Sequence, residues 1–242
     1  MGIIYGKNPV LEAISSGTTI NKIYAQTSNK EIDSVIKEAL KRKIIVVNTD
    51  KQKLDKMIDG KNSQGIIASI TDFKYSEVSE IIEYAKSKNE SPFIVILDKI
   101  EDPHNLGAII RSCECMGVHG VIIQKRNACQ ITDTVEKVAA GACSYVKVAR
   151  VTNITESIKE LKKNGLWIYG LDMNGESEVY NTKLEGAIAI VVGNEGSGIS
   201  RLVKENCDAL MKIPMTGKIN SLNASVSVAI TIYEVVRQKN IK

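Results

Sequence analysis

Residues 190–200, IVVGNEGSGIS, carry an apolar run into Gly193, Gly196 and Gly198. Glycines after a strand suit a phosphate cradle, because a backbone without Cβ can approach a pyrophosphate closely at a helix N-terminus. Two features argue against phosphate here. A P-loop needs lysine and then serine or threonine after its last glycine, whereas Gly198 is followed by Ile199 and Ser200. A dinucleotide fingerprint opens the first strand of its domain, and this loop stands near the end of the chain. A tight strand-to-helix turn is the plain alternative. Other reactive residues are sparse. His104 and His119 show no carboxylate partner in the sequence, and His104 reads as a loop histidine without catalytic duty. Cys113, Cys115, Cys129, Cys143 and Cys207 form no CxxC pair, which indicates neither a zinc site nor a disulfide framework. All five read as reduced, small core residues, with Cys113 and Cys115 assigned to packing.

The elements that would position the loop fall into two blocks. The first, 1–73, mixes short helical and strand patterns. Asn8 is predicted as an N-cap with Pro9 at the first helical position. Ile32, Val35, Ile36 and Leu40 share one helical face, IIVVN reads as a buried strand and GIIASI as another. The charged run 74–90 is predicted to be a helical linker. From 91 to 242 strand and helix patterns alternate, beginning with FIVIL, NLGAIIRSCECMG and GVIIQ. Such alternation predicts an α/β fold with a mainly parallel sheet covered on both faces, its ligand beyond the carboxyl ends of the strands. In the helix after FIVIL, Leu106, Ile109, Ile110 and Cys113 mark the buried face and leave Arg111 to its side. In the last helix the same spacing marks Leu222, Val226, Ala229, Ile230 and Tyr233 as buried.

The chain has 242 residues, 43% of them hydrophobic, enough for real cores. Lys and Arg number 32 against 28 acids, a net charge of +4. That suits an RNA partner and equally a solvated, lysine-rich surface. The N-terminus lacks a leader pattern and no apolar run has the length of a membrane span, so a cytoplasmic protein without a membrane partner is expected.

LDKIEDPHNLGAIIRSCECMG at 97–117, IVVGNEGSGIS at 190–200 and IPMTGKINSLNASVSVAITIYE at 213–234 occur in this order. Together they resemble the three motifs of the SpoU (TrmH-type) RNA ribose 2′-O-methyltransferases. YGKNPVLEAI and QGIIA resemble the small α/β RNA-binding domain that precedes the catalytic domain in many of them, a feature of the subgroup that modifies a guanosine of large-subunit ribosomal RNA. Ser63 departs from the histidine expected before QGIIA. The resemblance implies a C-terminal domain with a deep trefoil knot, an exception to the rule against threaded chains. It also implies a homodimer and S-adenosylmethionine as cofactor, with Gly193, Ile213 and Leu222 at the cofactor-binding positions. No metal is implied.

The reaction so implied needs orientation of two reactants and stabilisation of a developing negative oxygen. Arg111 matches the family's catalytic arginine. A guanidinium stays protonated in proteins, so a clamp on RNA phosphate and the forming alkoxide is preferred to a general base. Asn105 matches the motif-one asparagine, expected to hold Arg111 or the ribose, and its place also fits an N-cap. Glu195 matches a position that pairs with Arg111 or touches substrate, and it fits a solvated turn as well. Ser221 and Asn223 match motif three and are expected to place RNA or cofactor, while Ser225 reads as helix surface. The alternatives are a transfer-RNA guanosine methyltransferase, a non-catalytic RNA-binding or assembly protein of the same fold and, more distantly, a nicotinamide dehydrogenase.

Overall fold

The structure, a computed structural model, describes residues 2–16, 18–70, 73–218 and 221–240. The chain forms two compact units, Met1–Lys74 and Tyr75–Lys242.

In the first unit, β1 (Gly2–Tyr5), α1 (Lys7–Ser15), β2 (Ile20–Ala25), α2 (Asp33–Lys41), β3 (Val46–Asn48), α3 (Lys51–Lys56) and β4 (Ile66–Ile70) follow in order. The sheet runs β1-β4-β2-β3, with β4 antiparallel to β1 and β2, and β2 parallel to β3. Its core joins Val10 and Ile14 of α1 to Ile23, Val35 and Ile66. Asn8 is not the cap of α1. The N-cap is Gly6 at φ 90°, and the Lys7 amide donates to the Gln64 side chain at 3.1 Å, which fixes the helix start two residues earlier. In α2 the buried positions are Val35 and Ala39, and Leu40 is 55% exposed. The expected buried strand IIVVN narrows to Val46–Asn48, which is only half-buried to exposed. Ser63 is fully buried, and its Oγ and amide both bond Asp55 Oδ1, at 2.6 and 3.0 Å. It closes its own loop rather than offering a group to a substrate.

The second unit begins with α4 (Val78–Ser87), then β5 (Phe93–Asp98), α5 (Pro103–Cys115), β6 (Gly120–Gln124), α6 (Asp133–Ala139), β7 (Lys147–Val151) and α7 (Ile154–Lys163). It continues with β8 (Trp167–Leu171), β9 (Ser177–Glu178), β10 (Ile188–Gly193), α8 (Arg201–Glu205), β11 (Ala209–Lys212) and α9 (Ala224–Asn240). The sheet order is β7-β6-β5-β10-β8-β11-β9, with every strand pairing among the described residues parallel. Every residue of β5 and β10 is buried, as expected of strands covered on both faces. Each fully buried Ile or Val there contributes about 1.5–3 kcal/mol.

The run 74–90 is no linker. Val78, Ile81 and Ile82 of α4 belong to the core of the second unit, and a Cβ on Gly120 would come within 2.6 Å of Ile81. The charges of α4 occupy only its outer face. On α9 the prediction of the buried face fails: Ala224, Val228, Thr231, Ile232 and Val235 are buried, whereas Val226, Ile230 and Tyr233 are exposed. Apolar residues lie all round this helix, so spacing alone does not select a face. Among the described residues no helix is long and apolar enough to cross a membrane.

Candidate active site

The chain leaves the carboxyl ends of β8, β10 and β11 in loops that enclose a cavity of about 450 Å³. β10 lies between β5 and β8 in the sheet, so its glycine loop opens at the centre of that edge. The glycines have separate tasks. A Cβ on Gly193 would lie 2.1 Å from the Gly198 carbonyl carbon, and Gly198 has φ +64°. The loop folds back on itself through an Asn194–Gly198 bridge, with the Gly198 amide 2.8 Å from Asn194 O. Gly193 is therefore demanded by the closure of the loop itself. Asn194 Nδ2 ties the loop to Lys99 O at 3.1 Å, and the Ser200 amide at its far end donates to Asp98 Oδ2 at 2.7 Å. Asp98 is fully buried at the end of β5.

Three polar side chains meet over this loop. Glu195 Oε1 accepts from Asn105 Nδ2 at 2.9 Å, from Asn223 Nδ2 at 2.6 Å and from the Ala224 amide at 3.2 Å. Asn223 Nδ2 also donates to Asn105 Oδ1 at 2.9 Å. Asn223 Oδ1 accepts from the Ser225 amide at 2.9 Å and from Ser225 Oγ at 2.5 Å, which caps the start of α9. One residue thus begins the last helix and fastens it to the glycine loop and to α5. Asn105 is 7% exposed, whereas Glu195 and Asn223 are exposed.

Residues 92–233 match the model of the SpoU rRNA Methylase family, and residues 3–76 match that of the RNA 2′-O ribose methyltransferase substrate-binding domain. The chain belongs to the SpoU family. Relatives agree along the whole length: YacO of Bacillus subtilis (strain 168), assigned to the TrmH family of tRNA/rRNA methyltransferases, is 41% identical over 98% of this chain and 96% of its own. A relative of Staphylococcus haemolyticus with the same assignment is 42% identical with the same coverage. Among solved structures, the SpoU methyltransferase AviRb of Streptomyces viridochromogenes superposes with a TM-score of 0.64 at 20% identity, covering 99% of this chain and 91% of that one. The TrmH/SpoU tRNA modifying enzyme of A. aeolicus gives 0.57 at 28% identity over 68% and 85%. This SpoU protein is accordingly an RNA methyltransferase.

In this SpoU chain, Asn105, Glu195 and Asn223 form the cluster, and Gly193, Glu195, Ile213, Ser221 and Leu222 line the cavity. Arg111 joins neither group. It lies on α5 six residues past Asn105, about 9 Å further along the axis, exposed and without a hydrogen bond or ion pair among the described residues. Glu195 consequently bonds the two asparagines and not Arg111. Asn105 is not an N-cap, because Asp102 holds that place and accepts the His104 amide at 2.9 Å. His104 is in the first turn of α5 rather than in a loop. His119 does have a carboxylate partner: Glu90 Oε2 is 3.1 Å from its Nε2, and Phe93 N donates to its Nδ1 at 3.0 Å. Ser225 takes part in the cap of α9 and is not idle surface. Of the cysteines expected in the core, only Cys113 is buried; Cys129, Cys143 and Cys207 are half-buried, and Cys115 is exposed and does not pack. Sequence reasoning missed Asp98, Asp172 and Lys204. The signal for Asp98 was an acid closing the apolar run FIVIL.

Proposed function

We propose that the chain methylates a ribose 2′-hydroxyl of RNA with S-adenosylmethionine as donor, at a guanosine of large-subunit ribosomal RNA. The observation that carries this reading is the Asn105–Glu195–Asn223 cluster, set on the rim of a cavity walled by a glycine loop without phosphate-binding features. The cavity fits the donor. Its volume is in the range of nucleoside-sized sites, and Ile213, Met215 and Leu222 offer apolar surface beside the backbone of the loop. AviRb has been solved with AdoMet, and the relatives are assigned to tRNA/rRNA methylation.

When bound, S-adenosylmethionine supplies an electrophilic methyl group on a sulfonium. The protein does the rest by placement. Glu195, saturated at Oε1 by three donors, holds the start of α9 and the end of the glycine loop in register, so the cavity keeps its shape. Gly193, Ile213 and Leu222 hold the donor, and Ser221 with Asn223 places the incoming nucleotide at the rim. Arg111 clamps the adjacent phosphate and stabilises the oxygen as its charge develops, while the hydroxyl proton passes to phosphate or water. An exposed guanidinium with no protein partner among the described residues suits that task. The first unit grips RNA through polar and backbone contacts. The trefoil knot belongs to the same reading. Its support is the course of the chain from β11 along the cavity rim, at Ile213, Met215 and Leu222, to a helix start pinned onto the loop after β10. A homodimer through α9 is supported by the exposed Val226, Ile230 and Tyr233.

Transfer of labelled methyl to unmodified ribosomal and transfer RNA transcripts tests the substrate. Label in ribosomal RNA alone is expected. Label confined to transfer RNA would transfer the proposal to that substrate, and binding of donor without transfer to either RNA would favour a non-catalytic assembly protein.

A further inference from the structure

The cavity has one charged wall with no task in the scheme above. Asp172 follows β8 with its side chain 8% exposed, and Lys204 of α8 brings Nζ to 2.5 Å from Asp172 Oδ2. Asp172 Oδ1 accepts the Asn174 amide at 3.0 Å. Burial disfavours the Asp172 carboxylate, but the Lys204 and Asn174 bonds outweigh it and hold the group below its ordinary range. Lys204 is the sole basic residue among the described residues that line the cavity. A lysine ammonium has three donors, and among the described residues only Asp172 takes one.

We infer that the Asp172–Lys204 pair docks the amino-acid end of the methyl donor, Lys204 bonding its α-carboxylate and Asp172 its α-ammonium. The inference rests on the S-adenosylmethionine reading. A zwitterion presents one anion and one cation on a single carbon, and the pair presents the complementary two charges on one wall. Adenine and ribose carry no full charge, so neither complements both members of the pair at once. The other carboxylate of the cavity is already engaged, because Glu195 Oε1 holds three donors of the α5 and α9 ends. Asp172, Glu195 and Lys204 together leave one net negative charge in the cavity. That charge complements the sulfonium, which the spent donor lacks.

The test is calorimetry of the full chain with S-adenosylhomocysteine and with 5′-methylthioadenosine, which keeps adenine, ribose and thioether and lacks the amino-acid end. Wild type, Lys204→Met and Asp172→Asn are compared, with thermal melts to verify folding. Both variants are expected to lose on the order of tenfold or more in affinity for S-adenosylhomocysteine, and less than about twofold for 5′-methylthioadenosine. Equal losses for the two ligands would overturn the inference, since the pair would then shape the cavity or hold the ribose. Unchanged affinity for both would overturn it as well. A wild type that binds neither ligand nor S-adenosylmethionine would sink the donor reading itself, and the inference with it.

Discussion

Asn223 Nδ2 stands 2.9 Å from Asn105 Oδ1 across 118 residues of chain, and both amides converge on one oxygen of Glu195. A contact of such sequence separation ties the first helix after β5 to the last helix of the protein. Its consequence is that a single side chain governs helix capping and site geometry together.

Asn223→Asp separates those two roles. Aspartate caps as well as asparagine, so α9 keeps its start. A carboxylate 2.6 Å from Glu195 Oε1, however, forces the two acids to share a proton. Methyl transfer is expected to fall by at least about tenfold near pH 8 and by less near pH 6, as the shared proton becomes available. Asn223→Ala loses the cap as well, and about 1 kcal/mol of stability should appear as a lower melting point, by roughly 2–4 °C. Rates at the two pH values and thermal melts check both statements.

The loop glycines differ in tolerance. Gly193→Ala places a Cβ 2.1 Å from backbone, so the loop must open and donor binding should be lost in calorimetry. At Gly196 the nearest atom to an added Cβ is Asn194 Oδ1 at 3.4 Å, an ordinary contact. Gly196→Ala should bind the donor as wild type does.

Stability should also depend on pH through His119, which is 2% exposed. Its Nδ1 accepts from Phe93 N, so its one proton sits on Nε2 toward Glu90. Burial lowers its pKa below the ordinary 6.5, although Glu90 opposes the shift. The unfolded chain therefore binds the proton first, and stability present above about pH 6.5 is lost as pH falls below it. Urea midpoints of wild type and His119→Phe between about pH 7.5 and 5.5 check this. The wild type should lose more stability over that interval than the variant.

How far the sequence reveals this molecule depends on the range of each interaction. The buried strands β5, β6 and β10 and the inner face of α5 were legible, because continuous apolar runs and a 3.6-residue period are local signals. α4 is helical as expected, but its place in a core is masked in the sequence by glutamates and lysines that stand between Val78, Ile81, Ile82 and Ala85. β1 and α3 are four and six residues long, too short for any period to show. Individual site residues were legible only through their motifs. That Glu195 meets two asparagines and leaves Arg111 alone depends on contacts across 90 and 28 residues, and the asparagines meet each other across 118; no local pattern encodes those. The His119–Glu90 pair is hidden for the same reason.

Arg111 offers the most direct test of the catalytic proposal, since it has no protein partner among the described residues and its loss should leave the fold intact. The measurement is methyl transfer from labelled S-adenosylmethionine to unmodified large-subunit RNA by wild type and Arg111→Ala, with nucleoside mass spectrometry of the product and calorimetry of donor binding. Wild type should yield 2′-O-methylguanosine, and Arg111→Ala should lose roughly 100- to 1000-fold in rate with donor affinity unchanged. A methylated base in place of a methylated ribose, or an Arg111→Ala variant that transfers at the wild-type rate, would contradict the proposed chemistry.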